Sequence, residues 1–310
     1  MSEHVKKQHL VSKVLLKRFT ALDAKSGEMK LVSFDLNHPS ARTQVKTPTE
    51  VGYSIHFVSV DSRSLEELWG ETERMVPAVF SAIDLGEPYK LPENADALRN
   101  LIALHLVRSH RYKTIHETSY HRAFDELRAR MLEQHYESLQ NEALRVTGLY
   151  LHGSALEAFL DRMLRDSAPA KGFTSGQLLR TNIEEMYQKI RNFISEWEPE
   201  LLTAKDGQFI MGDSPATTLR WPSGQPDLNQ PVQFNVAITD AHAVVLPIDP
   251  KHLVALGPRR ATMEVERPVV ERLNAYQVLV AHRHVFFRPN SETELFIRNV
   301  CPRRTPIAPS

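Results

Sequence analysis

The chain has 310 residues, 42% hydrophobic and 25% charged, an ordinary globular composition with enough apolar material for a sizeable core. Its 38 Lys and Arg balance 38 Asp and Glu, so global charge argues for no partner, and its one cysteine, Cys301, excludes an internal disulfide or a multi-cysteine metal centre. The charged N-terminus (Glu3, Lys6, Lys7, Lys13) lacks the apolar core of a signal peptide, and no run approaches the roughly 18–20 apolar residues of a membrane span, so a soluble cytoplasmic protein is expected.

Leu10, Val14, Leu15 and Phe19 share one face at helical spacing, which predicts a short first helix with its lysines outside. Residues 29–34 predict a strand before the turn Asn37-His38-Pro39-Ser40, and residues 56–60 a second strand. Residues 64–83 read as helix, opening on the capping box Ser64-Leu65-Glu66-Glu67. Further helices are predicted over about 94–117, 120–144, 156–165 and 176–197. After Glu198-Pro199 the pattern turns to strands at 201–204, 208–211, 232–238 and 243–247, with Asp206-Gly207 reading as a hairpin turn. A last helix over about 268–282 leads into a strand at 284–287, and the proline-rich tail 301–310 reads as loose. The fold expected is α+β: one domain over 1–300, helix-rich to 198 and β-rich from 199, its helical middle block packed on a mostly antiparallel C-terminal sheet.

The segment from His9 to Phe19 resembles the signature H-[YV]-V-P-x-x-[YL]-L-[KR]-x-F, with which an uncharacterised family of bacterial proteins begins; Ser12 stands where that family usually has proline. Three later stretches are similar to the same family in the same order. They are the acidic segment 64–68 with Glu73 and Pro77; the segment 101–108, where His105 replaces the glutamine of A-L-Q-x-x-R and Arg108 keeps the arginine; and 209–215, similar to an S-D-N-P-V element, followed by a P-L-S-P-like stretch at 246–250. The resemblance implies a shared plan but no chemistry.

On a single helix over 94–117, Leu98, Leu101, His105, Arg108, Tyr112 and His116 share one face that begins apolar and turns polar. A guanidinium at that edge needs an anion, either a substrate phosphate or a structural carboxylate, because an unpaired buried charge costs several kcal/mol, roughly. Arg111 and His116 have the R-x4-H spacing that resembles the active-site motif of HEPN ribonucleases. Asp213, after an apolar run, suits either a ligand-orienting carboxylate or an Asx turn. His9 suits a helix cap or, paired with Asp213, a general base. On the last helix Asn274, Gln277 and the triplet His282-Arg283-His284 interrupt an apolar stripe, with Arg283 a further candidate for the same pocket.

His152, His242 and His252 are too dispersed in sequence to suggest a metal, His282 and His284 would face one side of a strand and offer only a weak site, and neither H-E-x-x-H, a glycine-rich phosphate loop nor Gly-x-Ser-x-Gly occurs, so no metal and no cofactor are expected. Residues 1–20 and 97–122 each hold five Lys/Arg against one Glu, the second with four histidines, which would form a phosphate-attracting patch if the two are neighbours.

The function expected is an enzyme acting on a phosphate-containing polymer, a metal-independent nuclease or defence-type toxin with nucleic acid as partner. In that scheme His9 and His105 move protons, Asp213 orients them, and Arg108, Tyr112 and Arg283 bind substrate. The rival readings are a non-enzymatic binding module for nucleic acid or protein, and a small-ligand sensor. An enzyme should gather His9, His105, Arg108 and Asp213 around one cleft; a binder need not.

Overall fold

In a computed structural model, which describes residues 6–60, 62–224 and 232–303, both the helical middle and the β-rich C-terminal part are present. The N-terminal part comprises β1 (Lys7–His9), α1 (Lys13–Arg18), β2 (Ala21–Leu22), β3 (Met29–Asp35), β4 (Gln44–Lys46) and β5 (Tyr53–Ile55). The helices α2 (Ser62–Asp84), α3 (Pro92–Val107), α4 (His110–Gln134), α5 (Tyr136–Thr147), α6 (Gly153–Arg165), α7 (Ala168–Ser175) and α8 (Gln177–Phe193) follow. The chain continues with β6 (Glu198–Ala204), β7 (Met211–Gly212), β8 (Thr217–Arg220), β9 (Gln233–Phe234), β10 (Ala243–Pro247), β11 (His252–Gly257), β12 (Ala261–Val265), α9 (Arg267–Val280), β13 (His284–Phe287) and α10 (Thr293–Val300).

The main sheet has the order β12-β6-β11-β10-β8-β9 and is antiparallel except where β12 runs beside β6. Its central strands are apolar on both sides because both sides are covered. Leu201, Val244, Leu246, Val254 and Leu256 join the core under α2, α3 and α8, whereas Leu202, Val245 and Leu253 join Val270 and Leu273 of α9 on the other face. A second sheet, β2-β3-β13-β7 with β4 also on β3, splices N-terminal strands to C-terminal ones and packs Val32, Phe34 and Phe287 on Ile297 of α10. The fold class is therefore α+β, with the sheets drawing on both ends of the chain. Helices α4 to α6 keep a separate small core around Leu139, Leu156 and Leu160.

Several elements differ from the sequence expectation, each for a local reason. The second predicted strand is displaced to β5: His56 turns to φ 53°, and the amide of Gln8 takes both polar groups of Val58 (2.8 and 3.0 Å) in place of a sheet ladder. Helix α2 starts before Ser64, so no capping box forms; the Ser64 hydroxyl donates to Glu184, and Glu67 pairs with Arg63. The helix predicted over 94–117 breaks after Val107, because Ser109 caps a new helix by accepting the Tyr112 amide (3.1 Å). Tyr112 and His116 thus belong to a different helix from His105 and Arg108. Asp206-Gly207 makes no hairpin, since β6 and β7 lie in different sheets. The buried amides of α9 capture the returning segment instead: Asn274 accepts from the Ile210 amide (3.0 Å) and Gln277 from that of Gly212 (2.9 Å). Gly212 fits that grip because a Cβ there would lie 2.9 Å from the Gln277 carbonyl. The strand predicted at 232–238 shortens to β9, the helix predicted over 120–144 divides into α4 and α5 at His135, and α10 has no counterpart in the expectation. Of the tail, Cys301–Arg303 forms a short 3-10 turn with Cys301 buried; 304–310 lie outside the described residues.

Candidate functional site: a histidine-lined cleft between braced segments

The segment from His9 to Ser12 is held from several sides. The Gly52 carbonyl accepts from the amides of Leu10 (2.8 Å) and Val11 (3.0 Å). His105 is buried, and its Nε2 accepts the Ser12 amide (3.2 Å), so its Nδ1 carries the proton donated to the Leu101 carbonyl (2.9 Å). Burial, and after it the Arg108 charge, push its pKa down to about 3. With both nitrogens committed, His105 fixes backbone. Arg108, 2% exposed, donates Nε to the Leu10 carbonyl (3.1 Å) and Nη2 to Glu73 Oε1 (2.7 Å), and its guanidinium lies 5.0 Å from the Trp69 ring centre. Burial would raise the Glu73 carboxyl, but Arg108 holds it below the usual carboxylate range. Glu66, two turns from Glu73 on the same face of α2, is pushed up, chiefly by burial. Burial and the nearby lysines 13 and 7 bring His9 down to about 4. Three buried atoms around this ion pair, His9 Nε2, Glu66 Oε1 and Trp69 Nε1, have no hydrogen-bond partner among the described residues.

Asp213 braces a second segment. Its Oδ1 accepts the His282 amide (2.6 Å), and its Oδ2 those of Arg283 and His284 (2.8 Å each), while its own amide donates to the His284 carbonyl (2.9 Å). The carboxylate is thus spent on the turn between α9 and β13 and orients no histidine ring. The pairing of Asp213 with His9 imagined from sequence does not form: the charges that act on His9 are those of Lys13, Lys7, Arg108 and Glu73.

Between the two braced segments lies a cleft of about 280 Å³, at the small end of ligand sites. Leu10 and Val11 form part of its wall, and Asp213, His282, Arg283 and His284 another part. His110, the first residue of α4, also lines it, so the positive end of a 25-residue helix borders the space. The His110 ring stacks on that of His282 (centroids 4.7 Å apart, 25° between planes) and meets the edge of Phe57 at 5.9 Å. Burial, then His282, lower the His110 pKa to about 4, and burial likewise lowers His284. Arg283 on the rim is paired with Asp35 (2.8 Å).

Of the residues expected at the site, His105, Arg108 and Asp213 therefore shape the walls, and Arg283 reaches the cleft. Tyr112 does not: its hydroxyl bonds the Asn182 side chain, and burial raises its pKa. The R-x4-H pair is also engaged elsewhere, Arg111 with the Asn235 carbonyl (3.2 Å) and His116 against Phe173. His110 is the residue that sequence reasoning missed. The available signal was a serine helix cap directly before a histidine, hidden by the assumption of one continuous helix. The two basic segments do meet, but Glu73 discharges Arg108, and Asp84 and Asp249 share Arg18. Contrary to the dispersed-histidine reading, His252 has acidic neighbours: donor atoms of Asp84, Asp249 and His252 lie within 4.8 Å of one another. Arg18 bonds both of those carboxylates, so a cation of the protein's own already neutralises the group.

The buried His105 has a pH signature. Unfolded, it titrates near 6.5; folded, at about 3. Below pH 6.5 the unfolded chain takes up a proton that the folded one refuses. The stability is therefore complete above pH 6.5 and falls, as pH drops towards 3, by about 1.4 kcal/mol per pH unit. His105→Gln keeps a donor and an acceptor and should flatten the unfolding midpoint against pH between 6 and 4. Identical slopes for variant and parent would contradict a neutral buried ring.

The fold and this geometry define an α+β protein with a small histidine-lined cleft held open by buried polar braces. The chain belongs to the family of proteins of unknown function DUF4238, whose model matches residues 7–291. No curated protein and no solved structure matches it. Among the described residues no helix is long and apolar enough to cross a membrane.

Proposed function

We propose that this protein is an enzyme that cleaves a phosphate-containing polymer by general acid–base chemistry, a metal-independent nuclease or defence-type toxin acting in the cytoplasm. The observation that carries the reading is the stacked pair His110 and His282 at the positive end of α4. Two adjacent imidazoles offer one ring to take the proton of the attacking hydroxyl and one to protonate the leaving oxygen. Burial keeps the His110 ring unprotonated at neutral pH, the form that can accept a proton. Arg283 and the first amides of α4 would meet the charge on the phosphoryl oxygens. Among the described residues no free carboxylate is left to ligate a hard divalent cation there: the one carboxylate lining the cleft, Asp213, has both oxygens committed to backbone amides.

The test is cleavage of labelled RNA and DNA in the presence of a chelator. His110→Ala and His282→Ala are each expected to slow cleavage by about 100-fold or more while leaving the unfolding midpoint in place. Turnover unaffected by both substitutions would falsify the assignment. The specific observation favouring the binding-module reading is that His105, Arg108 and Asp213 all serve structure. Salt-sensitive binding without turnover would select that reading.

A further inference from the structure

The cleft does not end at Arg283 and His284. Both residues also line a second cavity, of about 390 Å³, which includes Asp35, His38, Arg42 and Lys46 from β3, β4 and the turn between them. Asp35 is the one acid in that lining, and it is already engaged: Arg283 donates Nε and Nη2 to its Oδ2 (3.1 and 2.8 Å), and the His38 ring lies 3.2 Å away. Arg42 and Lys46, in contrast, make no ion pair among the described residues, and Lys46 is close enough to His284 for its charge to act on that ring. The pair of cavities thus has an imidazole cluster at one end and two uncommitted cations at the other, with Arg283 and His284 common to both.

We propose that the two cavities form one track for single-stranded nucleic acid, in which Arg42 and Lys46 hold the phosphate next to the one seated among His110, His282 and His284. This rests on the phosphate-polymer reading above and names its substrate class. A polymer presents a phosphate at every nucleotide, so a protein that grips the chain gains from a second cationic subsite, whereas a mononucleotide would leave it unused. A duplex is too wide to enter cavities of these volumes with its backbone at the histidines.

The experiment is an anisotropy titration of the full-length protein with fluorescein-labelled eight-nucleotide oligo(U) and oligo(dT) over a range of salt concentrations. Arg42→Ala/Lys46→Ala should weaken binding at low salt about 10-fold or more. It should also shrink the slope of log K against log salt by about 0.7, the one phosphate contact that the two side chains share. Lys189→Ala, at an exposed position on α8, removes a charge outside the track and should change neither quantity. An unchanged unfolding midpoint shows that the double variant is folded. A double variant that binds with the parent's affinity and slope overturns the subsite, and the phosphate-polymer reading survives only if the parent still cuts. A parent that binds neither strand overturns both, and a duplex bound as tightly as the single strand overturns the strand choice.

Discussion

Arg108→Ala should cost about 3 kcal/mol of stability and lower the unfolding midpoint by about 6 °C. The substitution strands Glu73, leaves the Leu10 carbonyl without its donor, and opens a gap beside Trp69. The expected cost is at the low end for a broken buried pair because the Glu73 side chain keeps 24% exposure, so water can reach the abandoned carboxylate. The pairing also predicts non-additivity. Arg108→Met should be more damaging alone than together with Glu73→Leu, since the double change leaves no uncompensated charge. Calorimetry on the four proteins of the cycle decides. If the double variant loses the full sum of the single losses, the ion pair is not what fixes Arg108, and the substrate-phosphate reading of this residue regains its standing.

Asp213→Ala should cost about as much by a different route, again about 3 kcal/mol. Three backbone amides lose a charged acceptor, and each such bond contributes about 1.5–3 kcal/mol where water is excluded. The sum is discounted because residues 282–284 are partly exposed. Asp213→Asn retains one acceptor oxygen and should fall between parent and alanine variant. The discriminating measurement is amide hydrogen exchange: protection at residues 282–284 should collapse in Asp213→Ala while the β6–β11 amides change far less. Full protection at 282–284 would show that the turn stands without the carboxylate. Because His282 and His284 ride on this turn, the proposed cleavage should fall with the lost protection, although Asp213 itself would act only by positioning.

The sequence on its own determined the fold class, because hydrophobic period is a local property. A 3.6-residue period through the middle and apolar runs after residue 198 become α2 to α8 and the main sheet, and residues 29–34, 243–247, 268–282 and 284–287 appear as elements with ends shifted by only a few residues. Among the polar residues it singled out, Arg108, His105, Asp213, Asn274 and Gln277 are all buried, and burial obliges each to find partners. What it could not supply was the identity of those partners, which lie far away in sequence. Ser12 is 93 residues from His105, and His282 is 69 from Asp213. A carboxylate spent on three backbone amides and one that orients a histidine look alike in a one-dimensional chain. Only the tertiary structure decided that Arg108 answers Glu73, that β3 crosses to β13, and that a serine cap at 109 turns His110 out of the helix before it and onto His282. The physical reason is common to all three. Periodicity and capping act within a few residues, whereas the pairing of buried charges and amides is settled by which surfaces the packed core brings together.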